Sequence, residues 1–389
     1  MKFKTDPADP QVAFNFEPEG DVAESIEGPD LQTWTIKLRS GVKWHNRAPA
    51  NGRDLTAEDV KWNFERIIRE GVNRDRFAAL IDKVEAPDAA TITVQLKEPY
   101  AGFPALLASP EGLWLVNREV VESDGDSNVN PLGTGPFVAS EFKSGEGLFA
   151  TKNPSYFLPG FPVIDELDAK LAVNAGEALR QFRQEANDVL RTTELRAEAD
   201  LVTPENGVVF RAAPQVGSQW FIFEPASYSW ASNKAPFNDQ RVRQAVSMAI
   251  NRPEMLTNLY GGKGLLAAGY FQTAFGPWYI DPTAPAFGDQ AKYLKYDVAA
   301  AKQLMEAAGL GGGIEVPIHY TSAYGPDFVA HFEAAIAHLG EIGVTAKPVA
   351  EKFEQFVSTT YLGSFDGMAF MPSPVYTDID ALLDGIARE

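Results

Sequence analysis

The residues with the most chemical potential are four histidines, His45, His319, His331 and His338, in a chain with no cysteine. Histidine is the side chain that changes charge nearest neutral pH and the commonest metal ligand. His45 closes the stretch "WTIKLRSGVKWHN", residues 34–46, beside Lys43 and Trp44, and no second ligand stands around it at metal spacing. His331 and His338 fall seven residues apart, about 10 Å along one helix and too far to share an ion. Neither a metal nor a cofactor is expected. Glu58 and Asp59 are adjacent, so on a helix they diverge by about 100° and do not flank one substrate. Gly133-Thr134-Gly135 fits neither the G-x-x-x-x-G-K-[ST] nor the G-x-G-x-x-G phosphate loop. No G-x-S-x-G elbow exists, and the chain does not read as an enzyme.

What stands out instead is aromatic. Trp220, Phe221, Phe223, Tyr228 and Trp230, then Tyr270, Phe271, Phe275, Trp278 and Tyr279, sit in or beside loops. Rings near domain junctions can form stacking walls for a ligand. Ordinary core packing accounts for most of them taken singly.

The elements that must position these residues are legible as two patterns. In the first part of the chain, Trp34, Ile36 and Leu38 alternate with Thr35, Lys37 and Arg39, the period of a half-buried strand. Thr56 with Asp59 three residues on marks a helix start, Val60, Phe64, Ile67 and Ile68 form its apolar face, and Gly71 ends it. "VEAPDAATITVQLKEP" reads as two strands around a Pro-Asp turn, with Ile92, Val94 and Leu96 inward and Thr91, Thr93 and Gln95 outward. A polar run before Gly133 marks a boundary. Further on come a helix in "GEALRQFRQEANDVL", an aromatic strand in "GSQWFIFEP" and a helix over "QRVRQAVSMAINRPEMLTNLYGG". The pattern then alternates: the helix "DVAAAKQLMEAAGL", the strand "IEVPIHY", the helix "PDFVAHFEAAIAHLGEIG", the strand "VTAKPVA", a helix from Lys352 and the strand "GMAFM". Such alternation predicts βαβ units and a mostly parallel sheet.

Composition bounds the rest. At 389 residues the chain exceeds one typical core. Lys and Arg number 34 against 53 Asp and Glu, a net charge of -19, which argues against nucleic acid or an anionic membrane surface as partner. The N-terminus "MKFKTDPADP" carries no apolar run, and no stretch approaches membrane-spanning length.

Several blocks together resemble the extracytoplasmic solute-binding proteins of ABC transporters in the family that includes dipeptide, oligopeptide and nickel binders. They are "WTIKLRSGVKWHN" with "LTAEDVKWNFERI", then "NPLGTGPF", "APFNDQRVRQAVSMAINR" and "YDVAAAKQLMEAAGL", in family order and spacing. The resemblance implies an α/β, periplasmic-binding-protein-like, two-lobed clamshell with an extra α+β domain, closing on its ligand by a hinge motion. It places the extra domain and a remnant of the first lobe in 1–132, a first-lobe segment in 133–225 and the second ligand-binding lobe in 226–389. It also implies an extracytoplasmic monomer that captures a small solute and delivers it to an ABC permease. His45 then belongs to the scaffold.

Family members extend further at both ends, so the chain reads as a shortened or partial member, without the C-terminal return to the first lobe. Peptide-binding relatives hold the ligand amine with an Asp after the strand that here reads "GMAFM", and often the carboxylate with an Arg in the loop that here reads "TSAYGPD". Val375 and Ser322 stand at those positions, with Asp378 three residues beyond Val375. A buried charged terminus without a counter-charge costs several kcal/mol. The expectation is therefore a neutral solute such as an oligosaccharide, with a dipeptide or oligopeptide as the alternative and a non-transport interaction module as a third reading. The ligand-binding residues expected from the resemblance are Trp220, Trp278, Tyr279, Tyr324, Val375 and Tyr376.

Overall fold

The computed structural model describes residues 1–3, 17–71, 74–109, 112–125, 131–143, 146–171, 175–190, 219–223, 234–262, 266 and 279–372. They fall into two compact units, one holding the described residues up to 171 and the other those from 175 onward.

The first unit opens with β1 (Lys2–Phe3) paired to β2 (Pro18–Glu19). Its main sheet is antiparallel and uses β3 (Ala23–Glu27), β4 (Thr33–Leu38), β5 (Ile81–Asp88) and β6 (Thr91–Leu96) in the order β3-β4-β6-β5. The inward sides of β4 and β6 are the expected ones: Trp34, Ile36 and Leu38, and Ile92, Val94 and Leu96, are all buried. Thr91, expected to face outward, is buried too, and its hydroxyl accepts from Lys37 Nζ at 2.7 Å. Among the described residues, helices α1 (Ala57–Glu70), α2 (Arg74–Leu80), α3 (Phe103–Ala108) and α4 (Arg118–Asp124) cover this unit. Val60 and Phe64 of α1 enter the same core, and Trp34 packs on Phe103 of α3 with ring centroids 5.8 Å apart. Gly28 must be glycine, because a Cβ there would collide with the Trp34 ring. A second antiparallel sheet, β7 (Phe137–Lys143), β8 (Gly147–Lys152) and β9 (Glu166–Lys170), follows.

The start of α1 is fixed by charge as well as pattern. Thr56 N–H donates to Asp59 Oδ2 at 2.9 Å. Arg53 grips the same carboxylate with two bonds of 2.8 and 2.7 Å and also donates to both oxygens of Glu119 at 2.8 and 3.0 Å. Burial would raise the Asp59 pKa, but the bonds from Arg53 and Thr56 outweigh it and hold the carboxyl below its usual range.

The second unit contains α5 (Ala175–Arg183), β10 (Gln219–Phe223), α6 (Gln240–Ala249), α7 (Arg252–Tyr260), α8 (Val298–Ala307), β11 (Ile314–Tyr320), α9 (Pro326–Gly340), β12 (Val344–Ala350), α10 (Phe353–Ser358) and β13 (Met368–Pro372). The sequence pattern predicts one helix where α6 and α7 stand. The break comes from Asn251, whose side chain accepts from Glu254 N–H at 3.2 Å and so starts a new helix, with Pro253 in its first turn. The sheet order is β10-β13-β11-β12; β11 runs parallel to β12 and β13, and β10 is antiparallel to β13. Val316, Ile318, Met368 and Phe370 face a core shared with α6, α8 and α9, whereas Ala369 and Met371 face Phe356 of α10 on the other side. Gly367 lets β13 approach β11: its φ is 69° and a Cβ would lie 2.5 Å from the Pro317 carbonyl oxygen. At the outer strand β12, Lys347 reaches Glu315 at 2.9 Å and Pro348 follows it.

Candidate functional site

Parallel strands place their carboxyl ends on one edge, the usual position of ligand sites in open α/β sheets. In this sheet Tyr320 pairs with Ala350 and Ile318 with Met368, so β11, β12 and β13 all end at the same edge. β10 runs the other way and brings its first residues there, Trp220 opposite Met371. The edge is thus formed by Trp220, Met371, and the exits of β11 into Thr321 and of β12 into Glu351.

Thr321 is buried and its hydroxyl accepts from Ala323 N–H at 3.4 Å, which turns the chain through Ser322–Tyr324. Gly325, with φ 97°, then admits α9. This turn presents Tyr324, 37% exposed, against Phe328 of α9 and two rings of α10. The centroid distances are 5.1 Å to Phe328, 5.8 Å to Phe353 and 6.1 Å to Phe356, the last two edge-on at 85° and 82°. Phe356 is fully buried and anchors the group, while Phe353 is 44% exposed. The result is an aromatic wall with one open side. Burial holds the Tyr324 hydroxyl above the usual tyrosine pKa, so it stays protonated and can donate. Lys352, exposed at the head of α10 beside Phe353, forms no ion pair among the described residues and supplies a positive charge.

Of the expected ligand residues, Tyr324 is in this wall and Trp220 is at this edge by strand register. The strand position of Trp220 is described and its side chain is not. Tyr279 is half-buried, its pKa raised by burial and by Asp281, and among the described residues no ring contact joins it to Tyr324. Trp278, Val375, Tyr376 and Asp378 lie outside the described residues. Sequence reading starts a helix at Lys352 but assigns neither Lys352 nor Phe353 a ligand role; their only signal was their place just after the strand "VTAKPVA".

The histidines do not converge. His45 is buried in the first unit between two backbone groups of the 133–135 loop. His331 Nδ1 meets the Tyr260 hydroxyl at 3.0 Å, and burial pushes its pKa down to about 4. His338 faces Glu254 at 3.7 Å, and His319 lies between Glu351 and Asp366. Among the described residues no group of three His, Asp or Glu is arranged to hold a metal, and no helix is long and apolar enough to cross a membrane.

Comparison with known proteins gives concordant results. The family model described as "Bacterial extracellular solute-binding proteins, family 5 Middle" matches residues 17–388. Di/tripeptide-binding protein 3 of Pseudomonas aeruginosa is 25% identical over 377 residues, covering 90% of this chain and 67% of the relative. The chain thus spans about two thirds of the length of the curated relatives it matches. Among solved structures, the periplasmic binding protein DppA from Helicobacter pylori in complex with the peptide STSA superposes with a TM-score of 0.76 at 24% identity, covering 94% of this chain and 72% of that one. The binding protein AgaA from A. tumefacien R10 in complex with agropinic acid superposes at 0.72 and 24% identity, covering 93% and 70%. The α/β fold is that of the periplasmic binding proteins. With a match over nearly its whole length, the chain belongs to family 5 of the bacterial extracellular solute-binding proteins, a transport family and not an enzymatic one.

Proposed function

We propose that this chain is the solute-binding component of an ABC importer and that its solute is a short peptide handed to a membrane permease. The observation that carries the peptide reading is the carboxyl edge of the second sheet, where an exposed lysine, Lys352, directly precedes Phe353 of the open aromatic wall. The wall suits an apolar side chain, the lysine a free carboxylate, and the protonated Tyr324 hydroxyl a peptide carbonyl. The relatives point the same way: they are named as dipeptide-, di/tripeptide- or peptide-binding proteins. They favour the peptide alternative over the neutral solute expected first from sequence, which rested on Val375 and Ser322 standing where peptide-binding relatives carry Asp and Arg and on the aromatic loops, and did not count Lys352.

Trp220, Trp278, Tyr279, Tyr324, Val375 and Tyr376 are retained as proposed ligand residues, and the division at 132 and 225 as the proposed domain plan, with action outside the cytoplasm. The neutral-solute reading keeps one support, the aromatic character of the wall itself. A thermal-shift series separates the two, because a ligand of the native state raises the melting temperature by mass action. Tripeptides with free termini should stabilise the chain, C-amidated tripeptides much less, and oligosaccharides not at all. Stabilisation by an oligosaccharide alone would replace this reading with the neutral one.

A further inference from the structure

On β11, Ile318 faces the helix-covered core, and the next residue, His319, faces the opposite side of the sheet, where the chain from Glu351 to Asp366 is packed. His319 Nδ1 lies 2.6 Å from Glu351 Oε1 and Nε2 lies 2.9 Å from Asp366 Oδ1. Glu351 also accepts from the Thr360 hydroxyl at 3.0 and 2.7 Å. The side chains of His319 and Glu351 are 13% and 6% exposed, and Thr360 is fully buried. The imidazole therefore bridges the two acids, one at each ring nitrogen. The two acids stand at the head and tail of one loop, and the single ring on β11 closes that loop. Its other near neighbour is the Phe365 ring, 6.0 Å away. Inside the loop lie α10 and its rings Phe353 and Phe356, which make up half of the aromatic wall.

We propose that His319 is a positioning residue for ligand capture, which touches no ligand and holds α10, and with it Phe353 and Lys352, in the geometry of the carboxyl edge. The proposal rests on the reading that this edge binds the solute. Its essential feature is a single side chain on β11 that reaches both acids at once. A glutamine there lacks the ring that spans the two acids at 2.6 and 2.9 Å and cannot hold both in the same geometry. A buried acid deprived of its partner is strongly destabilising, so the loop, rather than the whole unit, gives way first.

The test uses the full chain with a mixed tripeptide library as probe and amide hydrogen exchange over residues 353–362 as a readout that needs no ligand. His319→Gln is expected to speed exchange there about tenfold or more and to weaken tripeptide binding by a similar factor. His319→Lys, cationic with several donors, is expected to restore both to within about threefold of wild type. Asp366→Asn, at the solvent-exposed tail of the loop, is a milder variant that should shift both readouts in the same direction even if His319→Gln folds poorly. Wild-type exchange in both His319→Gln and Asp366→Asn would overturn the clamp, and so would fast exchange with undiminished binding. Phe353→Ala tests the underlying site separately: if it binds tripeptides as tightly as wild type, the edge is not the ligand site and the proposal falls with that reading, whatever the exchange shows.

Discussion

His45 is held as one tautomer by the loop that follows it in space: its Nδ1 accepts from the Gly133 amide at 3.3 Å and its Nε2–H donates to the Gly135 carbonyl at 3.1 Å. The main chain adds a third bond, His45 N–H to the Gly133 carbonyl at 2.9 Å, and Asn153 donates to the Gly135 carbonyl at 2.9 Å. The imidazole therefore fastens the "NPLGTGPF" segment to the turn after β4, a structural duty with no spare lone pair for a ligand.

His45→Ala is expected to cost about 1–3 kcal/mol of stability, the penalty for leaving buried backbone groups unpaired, with tripeptide affinity unchanged. Urea denaturation and calorimetric titration of the same variant check the two halves. A large affinity loss at unchanged stability would move His45 out of the scaffold.

Acid should destabilise the second unit through His331. Burial lowers its pKa to about 4, so the native state favours the neutral ring while the unfolded chain binds a proton near pH 6.5. The contribution is complete above the unfolded value and disappears as pH falls from there toward 4, amounting to roughly 3 kcal/mol. Denaturant midpoints measured between pH 7 and 4 should show this slope. His331→Phe should flatten it, and an equal slope in that variant would assign the effect elsewhere.

Arg53→Lys should destabilise the first unit by about 1–2 kcal/mol although charge is conserved, because lysine cannot form paired bonds to Asp59 and Glu119 together. Asp59, its pKa held down in the folded state, gives stability that is present above the ordinary carboxylate range and lost as pH falls through its lowered value. Thermal unfolding of the lysine variant near neutral pH, compared with wild type, measures the first of these effects.

Lys352→Ala should weaken binding of free-carboxylate tripeptides by about 0.5–1 kcal/mol, the range of an exposed ion pair, and leave C-amidated peptides unaffected. Wild-type affinity should decline as salt rises, and the variant should lose much of that dependence. Titrations at two ionic strengths decide it; equal salt slopes in both proteins would remove the lysine from the site.

The strands of the second unit were legible because "IEVPIHY" and "VTAKPVA" are short, β-rich runs bounded by glycine and helical segments, and β11 and β12 occupy those residues. The break between α6 and α7 was not, since apolar periodicity runs through Ile250 while a polar cap at Asn251 decides the boundary. The site was legible only in part. Tyr324 lay in a segment singled out by family resemblance, but its neighbours Phe353 and Phe356 reach it through strand register and not through sequence spacing. The same holds for His319, whose partners lie 32 and 47 residues away; long-range pairs of this kind leave no local period to read.

The outer strand β12 is, among the described residues, an edge of its sheet where a second chain could pair. Among the described residues, no strand pairs with its outer side. Pro348 deletes one donor from the strand, and Lys347 at its middle pairs with Glu315 of β11. A second chain arriving edge to edge would find an interrupted ladder and bound water to displace from ions. A lysine and a proline on an edge strand discourage pairing with another chain, so replacing Lys347 and Pro348 together with valines is expected to promote edge-to-edge association.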